Sequence, residues 1–199
     1  MKTSILTIAI VIATTFGFSK STFAAAGNNT EESTVLTNIN NISEIEIHGN
    51  VALYISDGDA EQVKVYNKYY SSNALVQDEN GVLRITSYGA DKLTVWVTVN
   101  ELQKLSVYDN ASVKSFGKLS AIDLDVKLYN NASAQINMDV FNASVTLSNS
   151  AKADLAGDVI QGSLQYDQSS FLNYSALNAL SLTKTENFNM GAINDLSTI

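Results

Sequence analysis

From Leu105 onward the chain repeats itself. Leu105-Ser106-Val107-Tyr108-Asp109-Asn110-Ala111 returns as Val126-Lys127-Leu128-Tyr129-Asn130-Asn131-Ala132, and then as Val145-Thr146-Leu147-Ser148-Asn149-Ser150-Ala151. A fainter copy begins at Leu164 and a degenerate one runs from Leu182 to Met190, so that successive starts lie 21, 19, 19 and 18 residues apart. A period near 20 that holds a strand, a polar turn and another strand is what one coil of a β-solenoid needs. A coil that short cannot bury its own apolar face, but coils stacked about 4.8 Å apart pair strand to strand and share one core. The expected fold is therefore all-β: a β-solenoid, or β-helix-like stack of coils, with a period of about 18–21 residues. Superposing the copies sends Leu105, Val126, Val145, Leu164 and Leu182 into one inward row and Ala111, Ala132, Ala151 and Ser170 into a row beside the turn, where only small side chains fit. Asn110, Asn131, Ser150, Ser169 and Asn187 align at the turn itself, where stacked amides and hydroxyls can bond along the axis. Short hairpins in a sandwich would also explain the turns, but the near-constant period favours coils.

Upstream of the repeats, apolar residues alternate with polar or aromatic ones: Ile45/Ile47, Val51/Leu53/Ile55, Val63/Val65, Leu83/Ile85 and Leu93/Val95/Val97/Val99. That is the period of strands with one buried face. Asp57-Gly58-Asp59, Asn80-Gly81 and Tyr88-Gly89 fall between the runs, where turns need such residues. No apolar stripe of helical period and helix length is present.

The N-terminus has a different character. Met1-Lys2-Thr3-Ser4 precedes an uncharged apolar run from Ile5 to Phe18, followed by Lys20 and Ala24-Ala25-Ala26. This is the order of a secretory signal, and the run is shorter than the roughly 20 residues a spanning helix needs. Residues 1–26 are expected to be a cleaved signal peptide and 27–41, rich in Asn, Thr and Glu, a flexible leader. Residues 42–199 are then expected to form a single repeat-built β domain. Cleavage removes Lys2 and Lys20 but no acid, leaving a chain more acidic than the net −8 of the whole. Such a surface repels nucleic acid and anionic lipid. The absence of cysteine excludes disulfides, thiol chemistry, Cys-based zinc sites and lipid anchoring at a cysteine. No other segment is apolar enough to serve as a transmembrane anchor, so an exported protein is expected: periplasmic, cell-surface or extracellular.

The strand-turn-strand unit, together with Ile45-Glu46-Ile47-His48-Gly49-Asn50-Val51-Ala52-Leu53-Tyr54-Ile55, Asn80-Gly81-Val82-Leu83-Arg84-Ile85 and the run from Leu93 to Leu102, resembles the bacterial family of putative auto-transporter adhesin, head GIN domain proteins. The resemblance covers roughly residues 40–190. Family turns usually read Ser-Gly-Ala-Ser, whereas this chain reads Asp109-Asn110-Ala111-Ser112 and Asn130-Asn131-Ala132-Ser133, with Asn in the place of Gly. Asn is tolerated at positive φ, so the backbone can be kept. The resemblance implies a secreted or cell-envelope protein built of stacked β-coils, with adhesion as its suggested role, and it brings no catalytic residues to carry over.

The residues offer little for catalysis. Asp123 and Asp125 point the same way if Ile122–Leu128 is a strand, and paired carboxylates can serve a polysaccharide-degrading enzyme as acid and base. Charged residues on a solvent face are nevertheless ordinary, and the single arginine that could stabilise an enolate-like charge, Arg84, belongs to another part of the pattern. Asp109 is a third outward acid. His48, the sole histidine, excludes His-rich metal sites and most triads and reads as a surface residue. Asp57-Gly58-Asp59 lacks the further acids of a calcium loop and reads as a turn. Asn110, Asn131 and Asn142 each begin Asn-Ala-Ser, a glycan-acceptor pattern that the repeat itself explains.

The best binding hint is aromatic. Tyr108 and Tyr129 take the same outward position in adjacent copies, with His48 as a possible equivalent, and Trp96 faces outward from its strand. Exposed rings on a rigid sheet suit a sugar or a protein partner, although tyrosine also favours strands for no such reason. The expected function is thus a non-enzymatic, adhesin-like interaction or scaffolding module without cofactor or metal, meeting an unidentified protein or glycan at the cell surface. A carbohydrate-binding module is the alternative.

Overall fold

Alternating patterns of this kind specify strands because each residue's side chain leaves the opposite face from its neighbour's, and the computed structural model is predominantly strand. It describes residues 33–36, 39, 41–66 and 70–187, all within one compact unit. The strands, in chain order, are β1 (Ser33–Leu36), β2 (Glu44–Gly49), β3 (Val51–Asp57), β4 (Gln62–Tyr66), β5 (Ala74–Glu79), β6 (Val82–Ser87), β7 (Leu93–Val99), β8 (Lys104–Val107), β9 (Ser112–Phe116), β10 (Leu119–Tyr129), β11 (Ser133–Ser148), β12 (Lys152–Asp167) and β13 (Phe171–Asn187). One helical turn, α1 (Tyr70–Asn73), precedes β5. The signal peptide expected over 1–26 lies outside the described residues, as does most of the leader expected over 27–41. Within residues 27–41, Ser33–Leu36 forms β1, paired antiparallel with β4.

All thirteen strands belong to one sheet, and β11 is its fork. The start of β11 pairs with β9, from which one arm continues through β3, β7, β4 and β1; the remainder pairs with β10, from which a second arm continues through β8, β2, β6 and β5. Strands β12 and β13 extend from the other side of β11.

This architecture corrects the expectation of a β-solenoid or β-helix-like stack. The structure is a curled, half-barrel mixed sheet, in which both arms leave the parallel pattern: β4 runs antiparallel to β7 and β1, and β5 runs antiparallel to β6. For β5 the physical reason is local turn chemistry. Asn80 and Gly81 have φ of 54° and 78°, and two consecutive residues at positive φ make the tight turn that returns a strand against its predecessor. That turn forms a β5–β6 hairpin, where a uniform stack would need a crossover.

Pairing among the sequence repeats is parallel and in register, with Leu105 beside Val126, Val126 beside Val145 and Val145 beside Leu164. All four are buried, as are Ala111, Ala132 and Ala151 after their turns; burying one such Val or Leu contributes about 1.5–3 kcal/mol. The last copy does not continue the row. A bulge between Asn173 and Ala176 inserts a residue into β13, so Leu164 pairs with Lys184 while Leu182 pairs with Gly162, and Asn187 pairs with Asp167. Leu182 takes up the space that a Cβ on Gly162 would need.

Turn conformation also differs in one detail. In the first two turns the left-handed residue is the first, Asp109 (φ 62°) and Asn130 (φ 62°), and not the Asn that stands in the place of the family's glycine; in the third, both Asn149 (φ 60°) and Ser150 (φ 70°) are left-handed. Backbone bonds from Ala111 N–H to the Tyr108 carbonyl (3.3 Å) and from Ala132 N–H to the Tyr129 carbonyl (3.2 Å) close these turns. Amides then ladder across them, Asn131 Nδ2 donating to Asn110 Oδ1 and Asn130 Nδ2 to Asp109 Oδ1, each at 3.3 Å.

Candidate functional site

Parallel in-register strands hold equivalent side chains one strand spacing apart, and where those side chains are flat rings the rings must stack. On β2 and β10, and at the residue that follows β8, this produces a column. The His48 and Tyr108 ring centres are 4.4 Å apart with planes 4° from parallel, and Tyr108 and Tyr129 follow at 4.9 Å and 9°. The second separation matches the about 4.7–4.9 Å spacing of neighbouring strands, and the first is slightly closer. The rings come at the ends of their strands, immediately before the turns, and all three are half-buried. Each stacked pair contributes about 0.5–1.5 kcal/mol beyond its buried area. The column stops at Ser148, the residue beside Tyr129 on β11.

Charge surrounds the column. Glu46 Oε1 meets His48 Nε2 at 2.8 Å and its other oxygen lies 3.5 Å from Arg84 Nε, while Asp109 Oδ2 accepts the Gly49 N–H at 2.9 Å and lies 4.0 Å from His48 Nδ1. His48 thus stands between two carboxylates. Burial, then the neighbouring Tyr129 and Glu46, push the Tyr108 phenol above its usual range, against a hydrogen bond with Ser106 and the Lys104 charge. Its hydroxyl therefore remains a donor at neutral pH. Lys127 is held protonated above the usual range chiefly by its 2.7 Å contact with Asp125.

Of the three expected binding residues, the structure brings Tyr108 and Tyr129 together and places Trp96 elsewhere. Trp96, on β7, lies 4.9 Å from Tyr54 on β3 and 4.7 Å from Phe116 on β9, ring centre to ring centre, with Lys114 above the Phe116 ring at 5.8 Å. No ring contact among the described residues joins the two groups. Tyr54 and Phe116 escaped the sequence reading, because what assembles them is pairing between β3 and β7 and between β3 and β9.

The acids weighed for catalysis are engaged with neighbours. Asp123 accepts a 2.7 Å bond from Asn142 Nδ2, which also occupies one of the three Asn-Ala-Ser side chains, and Asp125 pairs with Lys127. Both acids line an open groove of about 450 Å³ with Ser144, Gln161 and Ser163. Arg84 is distant in the fold, paired with Glu46 and Glu79. In the Asp57-Gly58-Asp59 turn, Asp57 accepts the Ser120 N–H at 3.1 Å, while Asp59 joins Glu61 and Glu101 in the lining of a polar cavity of about 460 Å³. Among the described residues no group of three or more His, Cys, Asp or Glu side chains is arranged to hold a metal ion. No helix among them is long and apolar enough to cross a membrane.

With this geometry in view, residues 41–185 match the family described as putative auto-transporter adhesin, head GIN domain. The chain belongs to that family. Similar solved structures include a putative adhesin from Parabacteroides distasonis (17% identity, 79% of each chain covered, TM-score 0.66). Others are a putative lipid binding protein from the same species (16%, 80% of each chain, 0.56) and a putative adhesin from Parabacteroides merdae (14%, 80% of this chain and 79% of that one, 0.57). At such identities the likeness concerns the fold of this head GIN domain protein. No curated protein matches the chain.

Proposed function

We propose that this head GIN domain protein is a non-enzymatic, exported interaction module that meets a protein or glycan at the cell surface through the His48–Tyr108–Tyr129 column. The observation that carries the reading is the stacking itself: three co-facial, half-exposed rings fixed by backbone pairing, so little freedom is lost on contact with a partner. Family membership supports the adhesin-like role, and the engagement of Asp123 and Asp125 with Asn142 and Lys127 supports a role without catalysis. Flat rings beside the acceptors Glu46 and Asp109 also suit a sugar, whose C–H face stacks while its hydroxyls donate. A carbohydrate ligand is accordingly the second reading.

Glycan and surface-protein arrays probed with the wild type and the Tyr108→Ala/Tyr129→Ala double variant test the site. Loss of about tenfold in affinity, equivalent to about 1.4 kcal/mol, is expected with the thermal midpoint of the remaining fold still cooperative. Binding that persists undiminished in the double variant would remove the column from the contact surface. Cleavage of an array polysaccharide that Asp123→Ala abolishes would replace the whole reading with an enzymatic one.

A further inference from the structure

Among the described residues the sheet ends in three edges, and they are unequal. Edge strand β1 has four residues and β5 has six, among them Asp78 and Glu79. The third edge, β13, has seventeen residues and among the described residues pairs with β12 alone. Natural sheets blunt such an edge with charge, proline or brevity. From Phe171 to Thr183, β13 carries no acid, no base and no proline, and Lys184 and Glu186 leave the strand neutral overall. Its inward residues Leu172, Tyr174, Leu177, Ala179 and Leu182 pack against the core yet stay half-exposed, since among the described residues no further strand covers them.

We infer that β13 is a self-association edge, at which two copies of this chain join by antiparallel β13–β13 pairing about a two-fold axis. Three observations select a second copy. The chain carries a net charge of −8, so two copies repel over most of their surfaces and approach with least cost along the neutral strand. The other two edges already end in antiparallel strands laid on parallel ones, β4 on β7 and β5 on β6, so this sheet accepts the change of direction that a two-fold pairing requires. Length also suffices for a reversible pairing: seventeen residues trace about 56 Å of edge, and with a sheet layer about 10 Å deep the pair would bury roughly 1,100 Å² in total, above the about 1,000 Å² that a specific interface must clear and within the weak, reversible class. The pairing is independent of the ring column, which lies on β2 and β10 and at the residue that follows β8.

Sedimentation velocity of the purified protein across micromolar concentrations should show a monomer–dimer equilibrium. Leu180→Lys, at a position 83% exposed and outside the core, should weaken it at least tenfold with the thermal midpoint unchanged. Because the chain has no cysteine, single substitutions Ala176→Cys, Asn178→Cys and Leu180→Cys report proximity directly. At least one should give a disulfide-linked dimer on mild oxidation, whereas Tyr88→Cys, on an exposed turn, should not. A monomer at every concentration overturns the inference, and protection of the Leu180→Cys thiol from alkylation in that monomer would assign the edge to another segment of the chain. A dimer indifferent to Leu180→Lys and without β13 cross-links also overturns it, by placing the interface elsewhere.

Discussion

The strands β10 to β13 and the two arms that fork from β11 are made of similar material and organised by different forces. In β10–β13, long strands pair in parallel at offsets of 19 or 20 residues, so one rule, equivalent residues adjacent, places nearly every side chain. In the arms, strands of four to seven residues are turned by short-range chemistry such as Asn80-Gly81, and the sheet becomes mixed. Where period and turn chemistry agree, the sheet extends regularly; where they conflict, the tight turn determines the direction of the next strand. The ring column stands at the junction, with Tyr129 on β10 and Tyr108 and His48 along the second arm.

The contrast can be broken most forcefully at Gly157. This residue of β12 has φ of 105°, and an added Cβ would overlap the backbone carbonyl of Met138 on the neighbouring strand. Gly157→Ala should cost roughly 3 kcal/mol or more, strain and overlap combined, and lower the midpoint of global unfolding by calorimetry. An unchanged midpoint would show that β10–β13 do not limit stability. Gly81→Ala probes an arm: φ of 78° and an approach of 2.7 Å to the Asn41 carbonyl make it unfavourable by about 1–3 kcal/mol. Hydrogen exchange should then rise in β5 and β6 while β11 and β12 keep their protection. Uniform loss of protection would mean that arms and body unfold as one.

The smallest effect concerns Asp167, which ties successive turns of the body together. Although burial alone would raise its pKa, bonds from Asn149 N–H (2.7 Å), from the Ser169 and Ser170 hydroxyls (2.8 Å each) and from Ser169 N–H (3.1 Å) outweigh it and hold the carboxyl below its usual range. A folded pKa below the unfolded value makes the contribution complete above the ordinary carboxylate value, about 3.9, and lost as pH falls through the folded value. Asp167→Asn should cost about 1 kcal/mol at neutral pH and flatten the acid limb of the stability curve. Identical acid limbs for the two proteins would assign acid sensitivity to other carboxylates.

Much of this was legible in the chain. The alternation at Ile45/Ile47 and Leu93–Val99, the inward row from Leu105 to Leu164 and the adjacency of Tyr108 and Tyr129 all follow from periods of two and about twenty. The direction of β4 and β5 did not follow, because a period fixes spacing and says nothing about which neighbour a strand will choose. The register of the last copy departs by two residues from the alignment of Leu182 with Leu164; the bulge near Asn173 accounts for one of them, and the other reflects how degenerate that copy is. The outward position of Trp96 follows from the alternation of its strand, but its companions Tyr54 and Phe116 come from strands 42 and 20 residues away in the chain, and local pattern carries no information about such encounters.

Trp96 is the sole tryptophan of the chain, and it belongs to the first arm, while the co-facial tyrosines belong to the second. The molecule therefore contains two optical reporters that need no labelling: indole emission follows the loosening of one branch, and near-ultraviolet dichroism from the coupled phenols follows the other. Denaturant titrations recorded in both signals on a single sample will tell whether the branches come apart together or in sequence.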